Sequence, residues 1–169
     1  YTVPYTLSLH DALPISALAA AGVQVLHVAG PTQAADVRAE LGEGPSTHHV
    51  LDYVDGMQNA YAAADLVLCR SGAMTCAELA AVGLPAVLVP LPIGNGEQAL
   101  NAGPLVAAGA ALLVADAELT AEVVRTTVLQ LVTDAARLAG MSAASTGLGH
   151  RHADDALAEL VLRAAGAAS

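Results

Sequence analysis

Short apolar runs alternate along this chain with stretches whose apolar residues recur at helical spacing. Residues 23–28 (VQVLHV) read as a buried strand between Gly22 and Gly30, after the end of a helix over 17–21. The spacing predicts a short helix over 32–41, with Thr32 as its cap and Gly42 as its stop. Further strands are expected at 49–54, 65–69, 86–89 and 110–114. Further helices are expected at 57–64, 75–82, 97–108 (bent at Gly103 and Pro104), 120–132, 134–144 and 152–165. Short strands alternating with helices up to 110–114 make βαβ units, so the fold class is α/β, a Rossmann-like parallel sheet with helices on both faces.

That topology decides where chemistry gathers. Ligands of such sheets bind outside the carboxyl ends of the strands. Three loops leave strands there: 54–57, 70–75 and 90–98. The second carries the most informative segment, CRSGAMTCAE over 69–78, where a strand, a glycine turn and a helix start follow one another. Free N–H groups and the helix dipole make such an entrance a cradle for anions. Glu78 is expected in that first turn, within reach of the vicinal hydroxyls of a ribose. A phosphate on the turn and a ribose on an acid form a nucleotide site.

Several of these residues have a plainer reading. Thr75 and Glu78 also fit a T-x-x-E capping box, in which both serve the helix end. Arg70 suits a phosphate or a neighbouring carboxylate equally. Gln98 suits a solvated first turn. His48 and His49 are adjacent, hence on opposite faces of an extended segment, one towards the core and one on the surface. His150 and His152 flank Arg151 at a helix start and read as solvated, with Asp154 and Asp155 favouring the dipole. Leu157, Leu160, Val161 and Ala164 form a stripe expected to pack into the core. Asp55 stands alone in its loop, and no paired carboxylates of glycosidase type occur.

Composition narrows the classes. With 169 residues the chain suits one ordinary domain. It is 55% hydrophobic without Phe or Trp, so small aliphatic side chains must fill the core. A net charge of −10 argues against nucleic-acid partners and offers no polybasic membrane anchor. Cys69 and Cys76 have no second pair to complete a zinc site and read as buried free thiols. No apolar run reaches the roughly 18 residues of a membrane span. Residues 1–16 (YTVPYTLSLHDALPIS) lack a signal peptide's pattern and match the rest poorly. PYTLSLHDALPI looks like translated adapter DNA. That stretch is expected to be non-native or disordered, with the domain occupying 17–169.

YVDGMQNAYAAADLVLCRSGAMTCAELAAVGLPAVLVPLP (53–92) and IGNGEQALNAG (93–103) together resemble the donor-binding C-terminal domain of the MurG-type glycosyltransferases, over residue 23 to the C-terminus. The LPIGNGEQ form is similar to actinobacterial members. These two-domain GT-B enzymes move N-acetylglucosamine from UDP-N-acetylglucosamine to an undecaprenyl-pyrophosphoryl-muramoyl-pentapeptide lipid in peptidoglycan synthesis. The resemblance implies that Val54 and Met57 line the uracil pocket, and that Ser71, Gly72, Ala73, Met74 and Thr75 form the diphosphate turn. It implies that Glu78 holds the ribose, and that Glu97 and Gln98 hold the sugar, with Asn101 behind them. The family more often has Gln-Gln where Glu97 and Gln98 stand.

The family's first strand with its GGS-type turn and its acceptor-binding N-terminal domain are expected to be missing. Catalytic residues, the acceptor lipid and the contact with the cytoplasmic face of the membrane belong to that other half. The fragment is therefore expected to bind donor but not to turn over alone, and no cofactor or metal is implied. Rival readings are another GT-B UDP-sugar enzyme, such as a 2-epimerase or a different glycosyltransferase, and a non-catalytic nucleotide-binding module.

Overall fold

The computed structural model describes residues 14–149 and 153–166. Expectations for residues 1–13 and for His150, Arg151 and His152 lie outside the described residues. In chain order the elements are α1 (Ile15–Ala20), β1 (Val25–Val28), α2 (Ala34–Leu41), β2 (His48–Leu51), α3 (Met57–Ala63), β3 (Val67–Cys69), α4 (Ala73–Val82), β4 (Ala86–Leu88), α5 (Glu97–Ala107) and β5 (Ala111–Leu113). A 3-10 turn at Asp116–Glu118 leads to α6 (Ala121–Val132), α7 (Ala135–Thr146) and α8 (Ala153–Ala164).

All described strand pairs are parallel. They form a pair, β1–β2, and a triple in the order β3–β4–β5. Val25 stands opposite His48, Leu68 opposite Val87, and Val87 opposite Leu112. Strand β4 is the centre, buried along its whole length. Its alternation sends Ala86 and Leu88 into one cluster with Tyr61, Cys76, Leu79, Ala102 and Leu105, from α3, α4 and α5. Val87 and its neighbour Val89 enter a second cluster with Val124, Leu131 and Met141, from α6 and α7. The expected cover of helices on both faces is thus realised around this triple. The β1–β2 pair alternates half-buried and exposed positions instead. There His48 meets His27 at 5.5 Å between ring centroids, while His49 is exposed, as adjacency in a strand requires. Burial, and secondarily the charge of His49, hold His48 below its usual pKa.

Helix α7 is stitched to the end of α4. Ser142 Oγ donates to the Gly83 carbonyl (2.7 Å) and Ser145 Oγ to that of Leu79 (3.2 Å). Gly83 ends α4 in the left-handed conformation, and a Cβ there would meet Thr146 Oγ1 at 2.5 Å. The backbone angle is what calls for glycine here, and a Cβ would also have to displace the Thr146 hydroxyl.

Three expectations are corrected. Thr32 does not cap α2, which begins at Ala34 behind Gln33 without a side-chain cap; Gly42 does end it. Helix α4 begins at Ala73, two residues earlier than expected. Its cap is Gly72, so no capping box forms and Glu78 lies in the second turn. The stripe on α8 is not core: Leu157, Leu160 and Val161 are 61%, 60% and 57% exposed. Helical spacing creates an apolar face but does not supply an element to cover it.

At the carboxyl edge Arg70 ties the triple together. Its guanidinium pairs with Asp116, beyond β5, and donates to the carbonyls of Val89 and Pro90, beyond β4, at 3.3 Å each. Of the two sequence readings, the carboxylate one holds. Asp116→Ala leaves this partly buried cation short of its partner and is expected to cost about 2–3 kcal/mol, read from the urea midpoint.

Cys69 and Cys76 are free, as expected of thiols that pack as small apolar groups. Burial pushes the Cys69 thiol from 9.0 up to about 12, and burial also raises Cys76 and Tyr61. The unfolded chain therefore loses these protons first as pH rises. Stability is intact below the unfolded values and falls across the interval from 9.0 to about 12. Urea midpoints at about pH 8 and about pH 10.5 should show the drop, and Cys69→Ala should remove part of it.

Candidate functional site

Helices α3, α4 and α5 all begin in loops that follow strands, and all three begin on glycine. Gly56, Gly72 and Gly96 are their caps, and none of the three ends receives a side-chain hydrogen bond. Helices α6 and α7 differ. Thr120 and Asp134 accept there from the N–H groups of Val123 and Arg137. Amide donors at the α4 and α5 entrances are therefore left for other acceptors, with the dipole favouring negative charge.

The turn before α4 is Arg70, Ser71 and Gly72. Arg70 faces the ion pair described above. Ser71 is fully buried at 0% exposure, and its hydroxyl has no hydrogen-bond partner within the described protein. Its carbonyl accepts from Asn101 Nδ2 at 3.3 Å, which binds α5 to this turn. Asn101 thus stands behind the turn. Ala73 and Met74 are exposed, Met74 by 73%, and Thr75 is half-buried in the first helical turn.

Glu78 follows one turn further along α4. It is exposed, and Tyr61 Oη donates to its Oε2 at 2.9 Å. Tyr61 itself is buried in α3. Burial and this hydrogen bond raise the phenol well above its usual pKa, so it remains a donor throughout the working range. Val54 is half-buried in the loop before α3, and Met57 opens that helix, 39% exposed. They are linked to the α4 residues through α3 and its Tyr61.

The third loop returns on itself. Gln98 Oε1 accepts from the Leu91 N–H at 3.0 Å, across the whole 91–98 segment. This bond assigns the amide: its oxygen is engaged, and the two donors of its NH2 group are what it presents elsewhere. Glu97 is exposed, with Asn95 Nδ2 at 3.5 Å from Oε1.

The structure therefore joins Ser71 to α5 and Glu78 to α3 by named hydrogen bonds, ties Gln98 back to its own loop, and lines Gly72, Ala73, Met74 and Thr75 along one helix entrance. Among the described residues Glu97 has only the 3.5 Å contact from Asn95. Two residues that support the site were missed in the sequence. Tyr61 had one signal, a lone aromatic in an alanine-rich helix one turn past Met57. Asp116 had none, because its partner lies 46 positions away. No group of three potential metal ligands occurs among the described residues. No described helix is long and apolar enough to cross a membrane.

Known proteins match over most of the chain. The profile of the glycosyltransferase family 28 C-terminal domain matches residues 9–159. An N-acetylglucosamine transferase of Acidothermus cellulolyticus, named for transfer to N-acetylmuramyl-(pentapeptide) pyrophosphoryl-undecaprenol, is 59% identical over 159 residues. That alignment covers 92% of this chain and 42% of the relative. The protein of the same name from Mycobacterium tuberculosis H37Rv is 55% identical over 148 residues, 88% of this chain and 36% of its own. The chain thus spans about two fifths of the curated relatives it matches. The crystal structure of MurG from Acinetobacter baumannii superposes with a TM-score of 0.74 at 28% identity, covering 90% of this chain and 49% of that one. The parallel strands, their helices and these likenesses agree with the expected C-terminal half of a GT-B glycosyltransferase, and the chain belongs to the glycosyltransferase family 28 C-terminal domain family.

Proposed function

We propose that this chain is the donor half of an inverting N-acetylglucosaminyltransferase, binding UDP-N-acetylglucosamine for transfer to an undecaprenyl-linked muramoyl-pentapeptide in peptidoglycan synthesis. The observation that carries the reading is Ser71. Its hydroxyl is fully buried and has no partner among the described residues; an unsatisfied group of this kind costs about 1–3 kcal/mol, and such a cost is retained where a ligand uses the group. Ser71 sits immediately before the bare amino end of α4, where a diphosphate is favoured.

Each remaining residue takes a role that its chemistry suits. The N–H groups of Ala73, Met74 and Thr75, with the hydroxyls of Ser71 and Thr75, receive the diphosphate. As the glycosidic bond to UDP breaks, negative charge grows on the departing diphosphate, and fixed amide donors stabilise it without reorganising. Glu78 accepts from the ribose hydroxyls. Val54 offers its backbone to the uracil edge, with Met57 against the ring. Gln98 donates to the sugar hydroxyls through its free NH2, and Glu97 accepts from them. Acceptor-lipid binding, removal of the acceptor proton and attachment at the cytoplasmic face of the membrane are assigned to the part of the relatives' length that this chain does not span. The 169-residue chain alone is expected to show no turnover with a lipid-linked acceptor.

Calorimetric titration with UDP, UDP-N-acetylglucosamine and ADP tests the reading. UDP should bind and ADP should not compete. Ser71→Ala should leave the thermal midpoint unchanged or raised while weakening UDP by roughly tenfold, the worth of one hydrogen bond to a charged group. Glu78→Ala should weaken it by about 10–100-fold. Gln98→Glu keeps the bond to Leu91 but loses both donors, so it should weaken UDP-N-acetylglucosamine and spare UDP. Unchanged UDP affinity in both Ser71→Ala and Glu78→Ala would overturn the assignment.

A further inference from the structure

Glu78 is an exposed residue in the second turn of a helix, and an exposed glutamate ordinarily samples several rotamers. Recognition of two adjacent hydroxyls needs the opposite, a carboxylate held in one plane. Tyr61 supplies the constraint. Its ring belongs to the core cluster with Cys76, Leu79, Ala80 and Leu84, so the position of its hydroxyl is set by packing. That hydroxyl donates to Glu78 Oε2 at 2.9 Å and comes from a different helix.

We infer that Tyr61 is the positioning residue for nucleotide recognition: its hydroxyl pins one oxygen of Glu78, which presents Oε1 and the remaining lone pairs of Oε2 to the vicinal hydroxyls of a ribose. This inference rests on the donor-site reading above. The phenol touches the carboxylate and not the ligand. Its contribution is to remove rotamer freedom before binding, so that less side-chain entropy is lost when the diol docks. It also makes α3 responsive to the ribose, because the helix that Met57 opens carries the pin. Among the described residues no other side chain is seen donating to Glu78.

The arrangement separates ribose recognition from the rest of the nucleotide. Tyr61→Phe keeps the ring in the core and deletes only the donor. The variant should bind UDP about fivefold more weakly, the scale of one side chain's ordering, and should bind 2′,3′-dideoxy-UDP as tightly as the parent does. The ratio of the two affinities is the decisive readout, because a merely structural bond between α3 and α4 would lower the thermal midpoint without changing that ratio. Calorimetry on the parent chain, Tyr61→Phe and Glu78→Ala with both ligands gives the answer. Equal losses for the two ligands in Tyr61→Phe, or no loss for either, would overturn the positioning role while leaving the site assignment intact. If the parent chain itself fails to prefer UDP over the dideoxy compound, and Glu78→Ala changes nothing, the assignment of Glu78 falls and the role of Tyr61 with it.

Discussion

Parallel pairing of β3, β4 and β5 is the constraint from which the site follows. Parallel strands need crossovers, so the connections out of β3 and β4 leave the same edge and each must start a helix there. Two helix entrances, those of α4 and α5, are thereby set side by side, and Asn101 bonds one to the turn before the other. Arg70 secures the same edge from within, reaching the backbone beyond β4 and the acid beyond β5. A cation spent on this structural task is not available to a phosphate. What the turn before α4 offers an anion is amides and hydroxyls.

The chain treats its helix ends differently according to where they lie. Side chains cap α6 and α7, whereas glycines begin α3, α4 and α5. A side-chain cap satisfies the orphan amides and stabilises the isolated helix, typically by about 1 kcal/mol. Bare ends forgo that stabilisation and keep their donors. The Ser71 hydroxyl, without a partner among the described residues, is a further donor left unsatisfied at the same edge. Stability is supplied elsewhere, by two apolar clusters that share β4 and by the serine bonds from α7 to the end of α4. A core of leucine, alanine and valine without Phe or Trp suffices because β4 is buried on both faces.

The legible part of the fold was periodic. The strands and helices lie within a few residues of their expected places, through α7 and α8, because apolar runs and glycine stops are local signals. The start of α4 was misplaced because Thr75 and Glu78 satisfy a local capping pattern that competes with the true cap at Gly72. The exposed stripe of α8 was misjudged for the complementary reason: amphipathicity records that a face is apolar, not what lies against it. The family was legible in the order and spacing of three loops, over 54–57, 70–75 and 90–98, because that linked series is written in the chain itself.

By itself, then, the sequence determined the alternating elements, the glycine turns and the residue types at the carboxyl edge, because each depends on neighbours a few positions away. Only tertiary structure decided that Arg70 meets Asp116, that Gln98 closes its own loop through Leu91, and that a buried tyrosine holds Glu78. Two of these join helices or strands distant in the chain, and the third depends on how a loop folds back. Distances of about 3 Å between such groups are fixed by the packing of whole elements, which no local pattern encodes.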